Sequence, residues 1–188
     1  MIYREVLNDL RPYKPGKQVE DIKREYKLDK VIKLASNENP YGFPERVKEI
    51  LANYKNTNIY PDNNYTNLRE KLASFLNIEK EKLIFGNGST EIISMLSRAV
   101  LNEGDEIITC VPTFPMYELE AKIANAKVVS VDLKNYRFDL EGILDNITER
   151  TKIIYVANPN NPTRNNYYKK RTRRIFRTCS KKYICSNR

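Results

Sequence analysis

Four short apolar runs, "KLIFGNG", "DEIITCV", "KVVSVDL" and "TKIIYVAN", alternate with longer segments whose apolar residues recur at helical spacing. That alternation constrains the fold more than any other feature of the chain. Strands separated by a helix cannot close a hairpin, so they lie parallel, with the helix crossing one face of the sheet. The helical segments are "FPERVKEILANY", with Val47, Ile50 and Leu51 on one face, and "TNLREKLASFLN", with Leu68, Leu72, Phe75 and Leu76. "STEIISMLSRAVLN" turns Ile92, Ile93, Leu96 and Val100 inward and offers Ser89 or Thr90 as its N-cap. "PMYELEAKIANA" starts on Pro115, a residue suited to a first turn, and "DLEGILDNI" is the last of the series. The expected architecture is α/β, with a mostly parallel, doubly wound sheet.

Composition narrows the function classes. The 188 residues carry 33 Lys+Arg and 24 Asp+Glu, a formal charge of +9. Ten of the bases and none of the acids lie in residues 164–188, so residues 1–163 hold 23 bases against 24 acids, a net −1. The basic balance that would suggest nucleic acid or an anionic membrane as partner therefore belongs to the tail alone. Histidine is absent, which excludes a Ser/His/Asp triad, a His general base and any His-ligated metal within the chain, and no metal ligands are assigned. Cys110 falls in a strand and Cys179 and Cys185 in the tail, which is no disulfide framework. No run reaches the ~20 apolar residues of a membrane span. "MIYREVLNDLRPYKPGK" contains acids and no apolar stretch of the signal-peptide kind. A cytoplasmic protein is expected.

In an open parallel sheet, ligands sit beyond the carboxyl ends of the strands. Three loops leave those ends: "GNGST", "VPTFPMY" and "ANPNNPT". The first places glycines and hydroxyl residues at a helix start, where free N–H groups and the helix dipole suit a phosphate. The same residues also make a tight turn followed by an ordinary N-cap. The second puts Phe114 where it can stack on a flat heterocycle, or pack its helix onto the sheet. The third fixes the backbone with two prolines and offers Asn158, Asn160 and Asn161 as amide donors, or is simply a rigid loop.

Together with "LASNENPYGFP" and "IYPDNNYTNLREKLASFL" upstream, these loops resemble the pyridoxal-phosphate aminotransferases of fold type I. "NENPYG", "YPD", "GNGSTE", "PTFPMY" and "NPNNPT" are most similar to the histidinol-phosphate aminotransferase subgroup. The resemblance covers residues 1–163. It implies a pyridoxal 5'-phosphate cofactor whose phosphate is held by Gly88, Ser89 and Thr90, with Glu91 at the border. It also implies that Phe114 stacks on the pyridine ring and that Asn161 bonds the ring's phenolic oxygen. Tyr60 would reach across a homodimer interface to the phosphate of the other subunit, and Tyr13, Asn37 and Tyr41 would border the substrate. The implied reaction is amino transfer between glutamate and imidazole-acetol phosphate, both small molecules, in histidine biosynthesis. An aromatic aminotransferase or a threonine-phosphate decarboxylase would keep the same fold with another substrate.

Three further groups implied by the resemblance have no counterpart: a Schiff-base lysine, a carboxylate for the pyridine nitrogen and an arginine for the substrate carboxylate. Lys169, Lys170, Lys181 and Lys182 stand in no family-like context, so no catalytic lysine is assigned. The expected domains are an N-terminal arm, 1–40, an incomplete cofactor-binding large domain, 41–163, and a basic non-family tail, 164–188, with the small C-terminal domain missing. Arg164 stands where the family has glycine. Synonymous codons exist for which the tail, read one base later, opens on glycine, runs through an amphipathic helix and closes an apolar strand with aspartate. A frameshift after Thr163 is the expectation, and with it an inactive chain whose "TKIIYVAN" strand lacks neighbours. A reading from another class makes the tail a non-specific basic arm for nucleic acid on an inactive body.

Overall fold

The computed structural model describes residues 4–10 and 16–166 and the backbone of residues 184–187. Two compact units result, one of residues 13–83 and the other of residues 1–12 with 84–188.

The unit of residues 13–83 is helical, with α1 (Val19–Tyr26), α2 (Glu45–Asn53) and α3 (Thr66–Leu76). The first lies in the stretch expected to be an irregular arm, as does a 3₁₀ turn at Glu5–Asn8. The signal was present: Val19, Ile22 and Tyr26 share a face, with Glu20 and Asp21 in the first turn and Lys23 and Arg24 in the last, matching the helix dipole. Before α3, the Asp62 carboxylate accepts the N–H groups of Asn64 at 2.9 Å and Thr66 at 2.7 Å. Those bonds favour the ionised form and hold its carboxyl below the usual range, the Thr66 N–H contributing most. Arg69 then ties the element together, donating from Nε to the Asn64 carbonyl at 3.1 Å and from Nη1 to the carbonyls of Lys80, at 3.0 Å, and Leu83. Among the described residues of this unit only Ala73 is buried. The helix faces expected to turn inward stand open, with Ile50 58% and Phe75 85% exposed. Short helices without an opposing layer in their own unit have nothing to bury an apolar stripe against.

The other unit contains α4 (Gly88–Val100), β1 (Glu106–Val111), α5 (Met116–Ile123), β2 (Lys127–Asp132), α6 (Leu140–Asp145), β3 (Thr151–Val156) and β4 (Ile184–Asn187). The four strands form one sheet in the order β2-β1-β3-β4, every pair parallel. Cys110 lies opposite Val131, Ile107 opposite Ile153 and Thr109 opposite Tyr155. Alternation then assigns the faces. Tyr155 stacks on Tyr117 of α5 at 4.4 Å and its hydroxyl lies 3.4 Å from the Ser97 hydroxyl of α4, so those helices cover the Thr109–Tyr155 face. Gly142 of α6 sits close against Val131, which places α6 on the Cys110 face. Ile107, Ile108, Ile153 and Ile154 are fully buried between the two layers. The doubly wound expectation therefore holds for this sheet.

Two expectations fail. "KLIFGNG" is not a strand: residues 80–82 form a 3₁₀ turn, and the chain from Leu83 is extended but joins no ladder. A strand is defined by its pairing, and Ile84, 67% exposed, finds no neighbouring strand among the described residues. The β3 strand does not lack neighbours either, because β4 pairs with it on the side away from β1. Its near-complete burial is that of an interior parallel strand.

At the amino end of the sheet, Glu106 is 5% exposed. Its carboxylate accepts the Thr148 hydroxyl at 2.6 Å and the Lys127 ammonium at 3.2 Å. The Thr148 bond is the main reason its carboxyl is held below the usual range. A depressed pKa contributes stability that is present above the ordinary carboxylate range and is lost as pH falls through the folded value. Thr148→Val should thus lower stability by about 1–2 kcal/mol at neutral pH, and by less in acid, where Glu106 is protonated. Urea unfolding at pH 7 and at successive steps down through the acid range measures the difference; an equal loss throughout would dissociate the effect from the charge.

Candidate functional site

The first turn of α4 is built to receive something. Gly88 adopts φ +77°, the left-handed region that favours glycine, and the space where a Cβ would stand is open. Its N–H closes a tight turn on the Gly86 carbonyl at 2.9 Å. Asn87 occupies the cap position but its side chain makes no capping bond. Glu91 turns back, its carboxylate accepting the Asn87 N–H. Ser89 or Thr90 as N-cap is corrected here: both lie inside the first turn, two and three residues beyond the cap position at Asn87, with Ser89 half-buried and Thr90 exposed. The residues that bury α4 are Ile93, Ser94 and Ser97, the serines having been missed by an apolar pattern.

Position follows from length. The connection from α4 to β1 is short, residues 101–105. A helix of 13 residues spans ~20 Å, about the length of a six-residue strand. Packed on Tyr155 through Ser97 and joined to β1 by that short connection, α4 lies against the same face of the sheet as α5.

The loops after β1 and β3 meet at the carboxyl edge of the sheet. Thr113 donates its hydroxyl to Asn160 Oδ1 at 2.8 Å, and Asn160 Nδ2 donates to the Pro112 carbonyl at 3.3 Å and to Thr163 Oγ1 at 2.9 Å. Asn160 is 2% exposed, and these bonds use both of its amide protons. It is no ligand donor, contrary to the reading of "NPNNPT" as three available amides. Asn161 beside it is half-buried, and so is Phe114, whose ring meets Tyr117 edge-on at 5.8 Å. Gly88, Ser89, Thr90, Phe114 and Asn161 thus share one unit, Phe114 and Asn161 standing on the two bridged loops.

The remaining expected residues belong to the other unit. Tyr60 is 98% and Tyr41 95% exposed, and Asn37 is exposed with φ 52°. The "NENPYG" turn is held by Asn39, which accepts the Tyr41 N–H at 3.1 Å and donates to the Gly42 carbonyl at 2.8 Å. Tyr13 lies outside the described residues. Near the edge, Cys110 is fully buried, and burial pushes its thiol up to about 12, so it stays protonated and unreactive at neutral pH. Among the described residues no cluster of acids or cysteines could hold a metal, and no helix is long and apolar enough to cross a membrane.

A helix start that its cap residue's side chain leaves unbonded, and two bridged loops following parallel strands, are features that can bind an anion and a flat ring. The family model "Aminotransferase class I and II" matches residues 29–185. Histidinol-phosphate aminotransferase of Caldicellulosiruptor saccharolyticus is 45% identical over 163 residues, which are 86% of this chain and 46% of that protein. The enzyme of the same name from Halalkalibacterium halodurans is 49% identical over 155 residues, 82% of this chain and 42% of that one. The crystal structure of histidinol-phosphate aminotransferase from Sinorhizobium meliloti, in complex with pyridoxal-5'-phosphate, superposes with a TM-score of 0.85 at 20% identity, covering 98% of this chain and 50% of the other. At that identity the likeness is one of fold. The chain spans about half the length of the curated relatives it matches.

Proposed function

The chain belongs to the class I and II aminotransferases, and on that premise we propose that it carries the phosphate-and-ring side of a pyridoxal 5'-phosphate site. The enzyme served would exchange an amino group between glutamate and imidazole-acetol phosphate, as the names of its curated relatives suggest. When bound, the cofactor supplies the electron sink for chemistry at the amino acid's α-carbon.

The observation that carries the reading is the uncapped first turn of α4. The N–H groups that follow Gly88, the positive end of the helix dipole and the Ser89 and Thr90 hydroxyls are the donors a phosphate dianion needs. Gly88 adds a backbone that a ligand can approach without meeting a side chain. Phe114 would lie against one face of the ring, and Asn161 would donate its amide to the ring's phenolic oxygen. Tyr60, almost fully exposed, would reach the phosphate of a second subunit, and Asn37, Tyr41 and Tyr13 would border the substrate. A homodimer of residues 41–163 and their large-domain complement, working in the cytoplasm, is the assembly this reading implies.

Equilibrium dialysis tests it. Pyridoxal 5'-phosphate should bind at least about tenfold more tightly than pyridoxal, because the phosphate takes several charge-assisted hydrogen bonds. Equal affinities would remove the α4 cradle from the reading.

A further inference from the structure

Asn160 has all of its polar groups engaged, and each side-chain partner lies in the two loops at the carboxyl edge. Thr113 donates to Oδ1, while Pro112 and Thr163 accept from Nδ2. Its main chain is tied as well, the N–H donating to the Asn165 carbonyl at 3.1 Å and the carbonyl accepting the Arg164 N–H at 2.7 Å. Thr113 is covalently next to Phe114, and Asn160 is covalently next to Asn161. We propose that Asn160 is a positioning residue: it fixes the distance between Phe114 and Asn161, and so the slot for the flat ring of the ligand. The inference rests on the pyridoxal 5'-phosphate reading above and deepens it.

Three features favour a positioning role over a general contribution to the fold. The amide bridges two loops rather than two strands, so the sheet ladder does not depend on it. Both loops carry a residue that the proposed function assigns to the ring, Phe114 on one and Asn161 on the other. The phosphate donors, in contrast, sit on α4, which shares no hydrogen bond with Asn160 among those described. Loss of the amide would therefore loosen the ring slot and leave the phosphate cradle as it was.

The experiment uses the full chain and two probes, pyridoxal 5'-phosphate and inorganic phosphate, each by equilibrium dialysis. Asn160→Ala should weaken pyridoxal 5'-phosphate roughly tenfold or more, the effect of several lost hydrogen bonds, and leave inorganic phosphate within about twofold. Thr113→Val removes one bond with little change of shape and should weaken the cofactor about threefold, with Thr113→Ser restoring it. That pair decides the matter if Asn160→Ala does not fold. Equal losses for both probes would make Asn160 a structural residue only, and unchanged cofactor affinity in Asn160→Ala and Thr113→Val would give it no role; either overturns the inference alone. An unsubstituted chain that takes up phosphate but does not prefer pyridoxal 5'-phosphate would overturn the ring reading and this inference together.

Discussion

Ser89→Glu should weaken binding of pyridoxal 5'-phosphate by at least about a hundredfold, while the melting temperature stays level or rises slightly. The substitution puts a carboxylate where the phosphate dianion would sit, removes a hydroxyl donor and adds like-charge repulsion in the first turn of α4. The same carboxylate is favourable to the helix itself, since a negative group near an N-terminus is stabilised by the dipole. Ser89 is half-buried in the first turn of α4, and the thermal melt shows whether the longer side chain is accommodated. Weakened binding beside an undiminished melting temperature cannot be put down to unfolding. Dialysis with the cofactor, beside a thermal melt, reads both quantities; affinity within threefold of the parent would sink the α4 cradle.

Ile108→Ala should lower stability by about 3–4 kcal/mol. Ile108 is fully buried on the interior strand β1, in register with Val129 of β2 on one side and Ile154 of β3 on the other. Those neighbours are held by parallel ladders and cannot close over the space left. Against a total of roughly 5–15 kcal/mol, such a loss moves a urea midpoint by more than about 1 M. Ile50→Ala is the control: Ile50 is 58% exposed on α2, and its removal should cost under about 0.5 kcal/mol. If the two substitutions shifted the midpoint alike, the core would not lie between the helical layers of the sheet.

Periodicity carried most of the architecture. The helices α2 to α6 and strands β1 to β3 fall where their apolar spacing indicates; α4 to α6 and the strands bury those residues against another layer, while α2 and α3 keep the pattern with their apolar faces open. It failed where pairing, and not pattern, decides. "KLIFGNG" has the residues of a strand but no partner, while "ICSN" is too short to signal anything and is a strand because β3 offers it an edge. The α1 helix is legible in the shared face of Val19, Ile22 and Tyr26, a short signal set among polar residues. In the site, glycines and hydroxyls in one loop pointed to the helix start, but nothing in "NPNNPT" distinguishes the three asparagines. Only the burial of Asn160 separates the amide that binds the loops from the one beside it.

The all-parallel sheet sets an order of assembly. Glu106 meets Lys127, 21 positions along the chain, whereas Ile107 meets Ile153, 46 positions along. Closing the longer loop costs roughly 0.7 kcal/mol more in chain entropy, so the β1–β2 pair is the cheaper first encounter. During synthesis it is also the first to become available, and β1 waits with one side open until β3 has been made. Every ladder in this sheet joins distant residues, which makes its folding slow by topology rather than by any single contact.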